Sequence, residues 1–158
     1  MKTLLILIAS LAAQPAAAYA GAPHSIAAES ESAAVIAVLA EYKFAIERLD
    51  ATGTERLFTA DSAIFESGGV EGTYANYLAH HLGPELNEFK SFTFSNYQIS
   101  VRFEGPLALA TESYTYRIET KAGEIAERAG VATSVLKKID GQWKIVSLHS
   151  SSRRPAAH

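Results

Sequence analysis

From Phe92 to Arg153 the chain is built of strand-like segments joined by very short turns, and this leaves it few possible folds. Gly105-Pro106, a polar stretch around Gly123 and Asp140-Gly141 divide the region into four runs. Gly-Pro breaks regular structure, and Asp-Gly fits the two-residue turn of a hairpin. A parallel pair needs a crossover of a dozen or more residues, which none of these turns provides. The four runs therefore predict an antiparallel sheet. In the first, Phe92 and Phe94 are apolar on even positions, while Tyr97, Ile99, Val101 and Phe103 are apolar on odd ones. Such a parity switch reads either as a β-bulge near Ser95-Asn96 or as two short strands with a break. In the last run, uninterrupted alternation puts Trp143, Ile145, Ser147 and His149 on one face and Lys144, Val146, Leu148 and Ser150 on the other. The first of these faces runs from a large aromatic to a histidine, as a pocket wall does.

The N-terminal part reads differently. Val35, Leu39, Tyr42, Ile46 and Leu49 recur at steps of four and three, predicting an amphipathic helix over about 31–50. Thr52-Gly53-Thr54-Glu55 has capping-box spacing and opens a short helix bearing Leu57 and Phe58. A brief strand follows over 61–66, and Thr73 caps a second main helix to about Leu82. Consecutive helical residues lie about 100° apart, so His80 and His81 cannot face one site. The wheel turns His81 inward with Tyr74, Tyr77, Leu78 and Leu82, and His80 to water. Helices first, then antiparallel strands, predict an α+β domain: a curved antiparallel sheet packed against N-terminal helices as a conical barrel.

The first twenty residues stand apart. Lys2, an apolar run from Leu4 to Ala13 and Ala18-Tyr19-Ala20 before Gly21 have the layout of a cleaved secretory signal. The expected organisation is a signal peptide over 1–20, a flexible leader over 21–29, one domain over 30–153 and a tail over 154–158, in a periplasmic or secreted protein. The apolar run is too short to span a bilayer, so no stable membrane insertion is expected. Removing Lys2 takes the net charge from -3 to -4, which argues against nucleic acid as a partner. There is no cysteine, which excludes disulfides, thiolate catalysis and cysteine-held zinc.

The first helix, the segment Leu57-Phe58-Thr59-Ala60-Asp61-Ser62-Ala63-Ile64-Phe65 and the closing Asp140-Gly141-Gln142-Trp143-Lys144-Ile145-Val146-Ser147-Leu148-His149-Ser150-Ser151 resemble the nuclear transport factor 2-like superfamily. Within it they are similar to SnoaL-like proteins related to ketosteroid isomerase. The resemblance implies a conical α+β barrel with a pocket between sheet and helices. It also implies a homodimer through the outer sheet face, where Val146 and Leu148 would lie. The superfamily holds isomerases, cyclases, dehydratases and binding domains without catalysis, so whether this chain is an enzyme stays open. The isomerases use a carboxylate base with a tyrosine and an acid in an oxyanion hole. Tyr42 is this chain's candidate for the tyrosine, and no acid aligns.

Three readings of the polar residues follow. In the first, a small apolar ligand sits in the pocket, with His149, Glu112 and Tyr42 as candidate acid/base groups. Trp143 and Tyr77 then form the binding wall, and Arg153 clamps an anionic group. No cofactor is called for. In the second, His81, His149 and Glu66, with Glu112 in reserve, hold a divalent metal; no HExxH or HxH spacing supports it. In the third the histidines are hydrogen-bonded core residues, and the domain is a dimeric interaction module with an idle pocket.

Overall fold

The computed structural model describes residues 23–155; the expected signal peptide lies outside them. Helix α1 spans Pro23–Glu47, so it begins within the segment read as a flexible leader and stops short of residue 50. Proline suits the first helical position, where its missing N–H is not needed. A 3₁₀ turn, Thr54–Leu57, follows. The predicted capping box does not form there. Instead the Thr54 hydroxyl bonds the Ala51 carbonyl at 2.5 Å and the Tyr74 hydroxyl at 2.6 Å. Strands β1 (Phe58–Glu66) and β2 (Gly69–Gly72) form a small hairpin. Helix α2 (Tyr74–Tyr77) is capped by Thr73, whose hydroxyl accepts the Asn76 N–H at 3.3 Å. A π-helical turn, Leu78–Leu82, leads into α3, Gly83–Glu88. Four long strands complete the chain: β3 (Phe89–Glu104), β4 (Leu107–Thr120), β5 (Ile125–Ile139) and β6 (Gln142–Arg153).

The six strands make one curved, open sheet in the order β2-β1-β6-β5-β4-β3. The expected antiparallel run β3-β4-β5-β6 is present. Among the described strands the parallel pairing joins β1 to β6, with β2, the α2–α3 region and β3 to β5 all lying between them in the chain. Val35 and Leu39 of α1 share one buried core with Ala108, Ala110 and Leu136 of the sheet, and the helix lies closest to β3 and β6. Burying a residue such as Leu39, 2% exposed, stabilises the fold by about 1.5–3 kcal/mol. Further along β4 the inward residues become larger and more polar, from Ala108 and Ala110 to Glu112, Tyr114 and Tyr116.

Two bulges set which side chains face the concavity. In β3 the register shifts between Ser95 and Gln98, with Asn96 at φ +52°. This is the bulge expected near Ser95-Asn96, and it turns Phe92, Phe94 and Tyr97 to the same side. The second bulge lies in β6. Leu136 pairs with Ile145, but Val135 pairs with Ser147, so Val146 is an extra residue. Trp143 and Ile145 point inward before it, and Leu148 and Ser150 after it. The unbroken alternation expected for this strand is therefore corrected. His149 is exposed on the outer face, edge-on to Phe65 at 6.2 Å. Leu148, expected on an outer dimer surface, is buried and faces the concavity.

Candidate functional site

The concavity between the sheet, the end of α1 and the α2–α3 region holds a cavity of about 130 Å³. Aromatic side chains form its β3–β4 wall. Phe92, Phe94 and Tyr97 come from β3, and Tyr114 and Tyr116 from β4. Phe94 meets Tyr114 edge-on at 5.0 Å, and Tyr97 stacks over Tyr114 at 6.0 Å. Tyr114 reaches this position because its cross-strand neighbour is Gly130. A Cβ at Gly130 would lie 2.2 Å from the Tyr114 ring.

Two carboxylates enter this aromatic wall, each held by a tyrosine. The Tyr77 hydroxyl donates to Glu66 Oε2 at 2.5 Å, and the Tyr97 hydroxyl donates to Glu112 Oε1. Glu66 ends β1 opposite Ser150, and Glu112 sits mid-β4, inward like Tyr114. Burial pushes the Glu112 carboxyl above the usual carboxylate range, and the Tyr97 hydrogen bond offsets this only in part. Tyr42 projects from α1 into the same space. Its hydroxyl is kept protonated by burial first, and then by the nearby Tyr74, Glu66, Tyr114 and Glu112. The Tyr77, Tyr97 and Tyr114 hydroxyls are raised in the same way, with burial the main cause. Lys43 also lines the cavity, but its ammonium pairs with Glu47 at 2.7 Å.

His81 stands beside the cavity, about one-third exposed. Its Nδ1 lies 3.1 Å from Glu71, and its Nε2 lies 3.4 Å from Glu85 and 3.9 Å from Glu66. Burial disfavours the imidazolium, but the Glu71 hydrogen bond and the charges of Glu85 and Glu66 outweigh it and raise the pKa. The π-helical turn sets this orientation. Its wide turn brings the Leu78 carbonyl so near residue 83 that a Cβ there would lie 2.5 Å from the oxygen; Gly83 avoids the clash. His80 is exposed, as the wheel predicted.

The structure thus brings Tyr42, Tyr77, Glu66 and Glu112 to one cavity, with His81 beside it. It separates the other expected residues from them. His149 lies across the sheet, because the Val146 bulge reverses the parity of β6. A metal site of His81, His149 and Glu66 cannot converge for the same reason. Among the described residues no group of three or more His, Asp or Glu is disposed to hold a metal. Trp143 is buried at the other end of the sheet, where its Nε1–H donates to Glu31 at 2.7 Å and ties α1 to the β5–β6 hairpin. Arg153 is exposed at the end of β6 and does not line the cavity. Tyr97 and Tyr114 are not among the site residues that the sequence suggests. The parity switch in β3 and a glycine opposite Tyr114 are the signals that mark them.

Comparison with known proteins agrees with this architecture. Residues 35–155 match the SnoaL-like domain, so the chain belongs to that family. Many solved structures share the fold. One is a protein provisionally named a scytalone dehydratase from Novosphingobium aromaticivorans DSM 12444, with a TM-score of 0.74 and 15% identity over 85% of this chain and 92% of that one. Another is a protein provisionally named a ketosteroid isomerase from Shewanella frigidimarina NCIMB 400, with a TM-score of 0.62 and 26% identity over 75% of this chain and 94% of that one. A type 2 hexachlorocyclohexane dehydrochlorinase has a TM-score of 0.70 and 13% identity over 84% and 93%. No curated protein sequence matches. Among the described residues no helix is long and apolar enough to cross a membrane.

Proposed function

We propose that the chain binds a small cyclic compound in this cavity and catalyses proton transfer on it, as an isomerase or dehydratase does. The observation that carries the reading is the pair of tyrosine-held carboxylates, Glu66 and Glu112, on one aromatic cavity that also receives the Tyr42 hydroxyl. A carboxylate takes a proton from carbon, and a tyrosine that stays protonated donates a hydrogen bond to the oxygen where charge develops. Tyr42 lines the same cavity and its hydroxyl stays protonated, so it can donate to a ligand there. Two carboxyl groups in unlike surroundings suit unlike roles. Glu66 serves as the base, and Glu112 holds the polar group of the ligand. The cavity size fits one ring, since a cavity of about 150 Å³ admits benzene. The test is solvent-deuterium exchange at the α-carbons of single-ring ketones, followed by NMR. The wild type should exchange them faster than buffer, and Glu66→Gln should lose about 10²–10⁴-fold of that rate. Exchange no faster than in buffer across the panel would defeat the catalytic part of the reading.

Export and pairing of two copies belong to the same proposal. The signal-like layout of residues 1–20 supports export, and N-terminal sequencing of protein recovered from the periplasm or medium should begin at Gly21. For pairing, Val131, more than half exposed on the outer side of β5, replaces Leu148 as the apolar residue offered there. Val131→Asp should shift a dimer to monomer in sedimentation.

A further inference from the structure

We infer that the cavity's ligand is a single-ring compound bearing a protonated amine, its ammonium on Glu112 and its ring against Phe94, Tyr97 and Tyr114. This deepens the reading above and rests on the cavity being the ligand site. The first argument is the charge inventory. Glu66, Glu85 and Glu112 all line the cavity, and the one cation on its wall, Lys43, is already neutralised by Glu47. Among the described residues no Lys or Arg approaches any of the three within ion-pair distance; Glu66 and Glu85 have only His81. Among the described residues Glu112 has no cationic partner, and the Tyr97 hydroxyl is the donor it has. A carboxylate has about four acceptor positions, so most of its capacity is left for a ligand.

The second argument is independent of the carboxylates. The Lys43 ammonium lies 5.3 Å from the Phe94 ring centroid and 5.5 Å from that of Tyr97. Both distances are within the range at which an aromatic face attracts a cation. The wall thus already carries one ammonium. Burial raises the Glu112 carboxyl, as happens to a carboxylate that lacks a counter-charge, and a bound ammonium would supply one. An anionic ligand would instead meet Glu66 and Glu112 with no free cation to receive it.

Isothermal titration of the full chain at pH 7 with benzylamine, benzyl alcohol and phenylacetate tests this. These probes share a ring and differ in charge. Benzylamine should bind at least about tenfold tighter than benzyl alcohol, the size of one charge-assisted hydrogen bond, and phenylacetate should bind weakest. Glu112→Gln should bring amine and alcohol to within about twofold, while Glu112→Asp, which keeps the charge, retains the preference. Glu112→Ala is a second neutral variant should the amide fail to fold. If benzyl alcohol binds as tightly as benzylamine, or if the preference survives in a folded neutral variant, the inference is overturned while the cavity remains a ligand site. If none of the three binds, the inference and the ligand-pocket reading fall together.

Discussion

Replacing Glu112 by Gln should make the protein more stable at neutral pH, although the residue belongs to the proposed site. In the folded chain burial raises the Glu112 carboxyl, whereas in the unfolded chain it titrates at about 4.3. A raised carboxyl pKa means that the folded state holds its proton longer. The associated stability is fully present below the unfolded pKa and is lost as pH rises through the folded one. Each unit of such a shift corresponds to about 1.4 kcal/mol, less here because the group is only partly buried. The amide of Gln has nearly the same shape, carries no charge and can still accept the Tyr97 hydroxyl. The variant should therefore have the higher Tm and the higher urea midpoint at pH 7. Urea unfolding of both proteins between pH 4 and pH 8 measures it. The gap should close toward pH 4, where both side chains are neutral, and open as pH rises. A variant less stable at pH 7, or a gap that does not change with pH, would refute the reasoning.

Other substitutions test the geometry. Leu148→Ala removes a buried side chain from the cavity wall and should cost about 2–5 kcal/mol in chemical denaturation. His149→Ala, one residue on but across the sheet, should stay within about 0.5 kcal/mol and leave benzylamine affinity unchanged; a loss of binding would mean that the histidine reaches the site after all. Gly130→Ala places a methyl 2.2 Å from the Tyr114 ring and should cost about 1–3 kcal/mol while weakening probe binding as the ring is displaced. Titration of the His81 imidazole by NMR should give a pKa above 6.5, falling when Glu71 is changed to Gln.

Much of this architecture could be read from the chain because its turns are local signals. Gly105-Pro106 and Asp140-Gly141 bound strands that the structure shows, and the helical spacing of Val35, Leu39, Tyr42 and Ile46 marks the helix that covers them. The β3 bulge was legible because its two apolar sets do not overlap. The β6 bulge carries the same kind of signal, apolar Trp143 and Ile145 on odd positions and Val146 and Leu148 on even ones, but the even pair also fits an apolar outer face, which masks the switch. A one-residue shift sends every later side chain to the other face. His149 thereby leaves the cavity, and Leu148 and Ser150 enter it. The tyrosine–glutamate pairs were not legible, since they join β3 to β4 and α2 to β1 across 15 and 11 positions with no spacing of their own. The parallel pairing of β1 with β6 was equally invisible, because everything from β2 to β5 separates the two strands in the chain.

Photo-crosslinking with a single-ring aryl diazirine carrying an aminomethyl group, mapped by peptide mass spectrometry, tests most directly whether the concave face is the working surface. Adducts should fall on Tyr42, Tyr97 and Tyr114, the cavity residues around the carboxylates, and should be competed by benzylamine. Adducts concentrated at His149 and its neighbours on the outer face, uncompeted at the cavity tyrosines, would contradict the account.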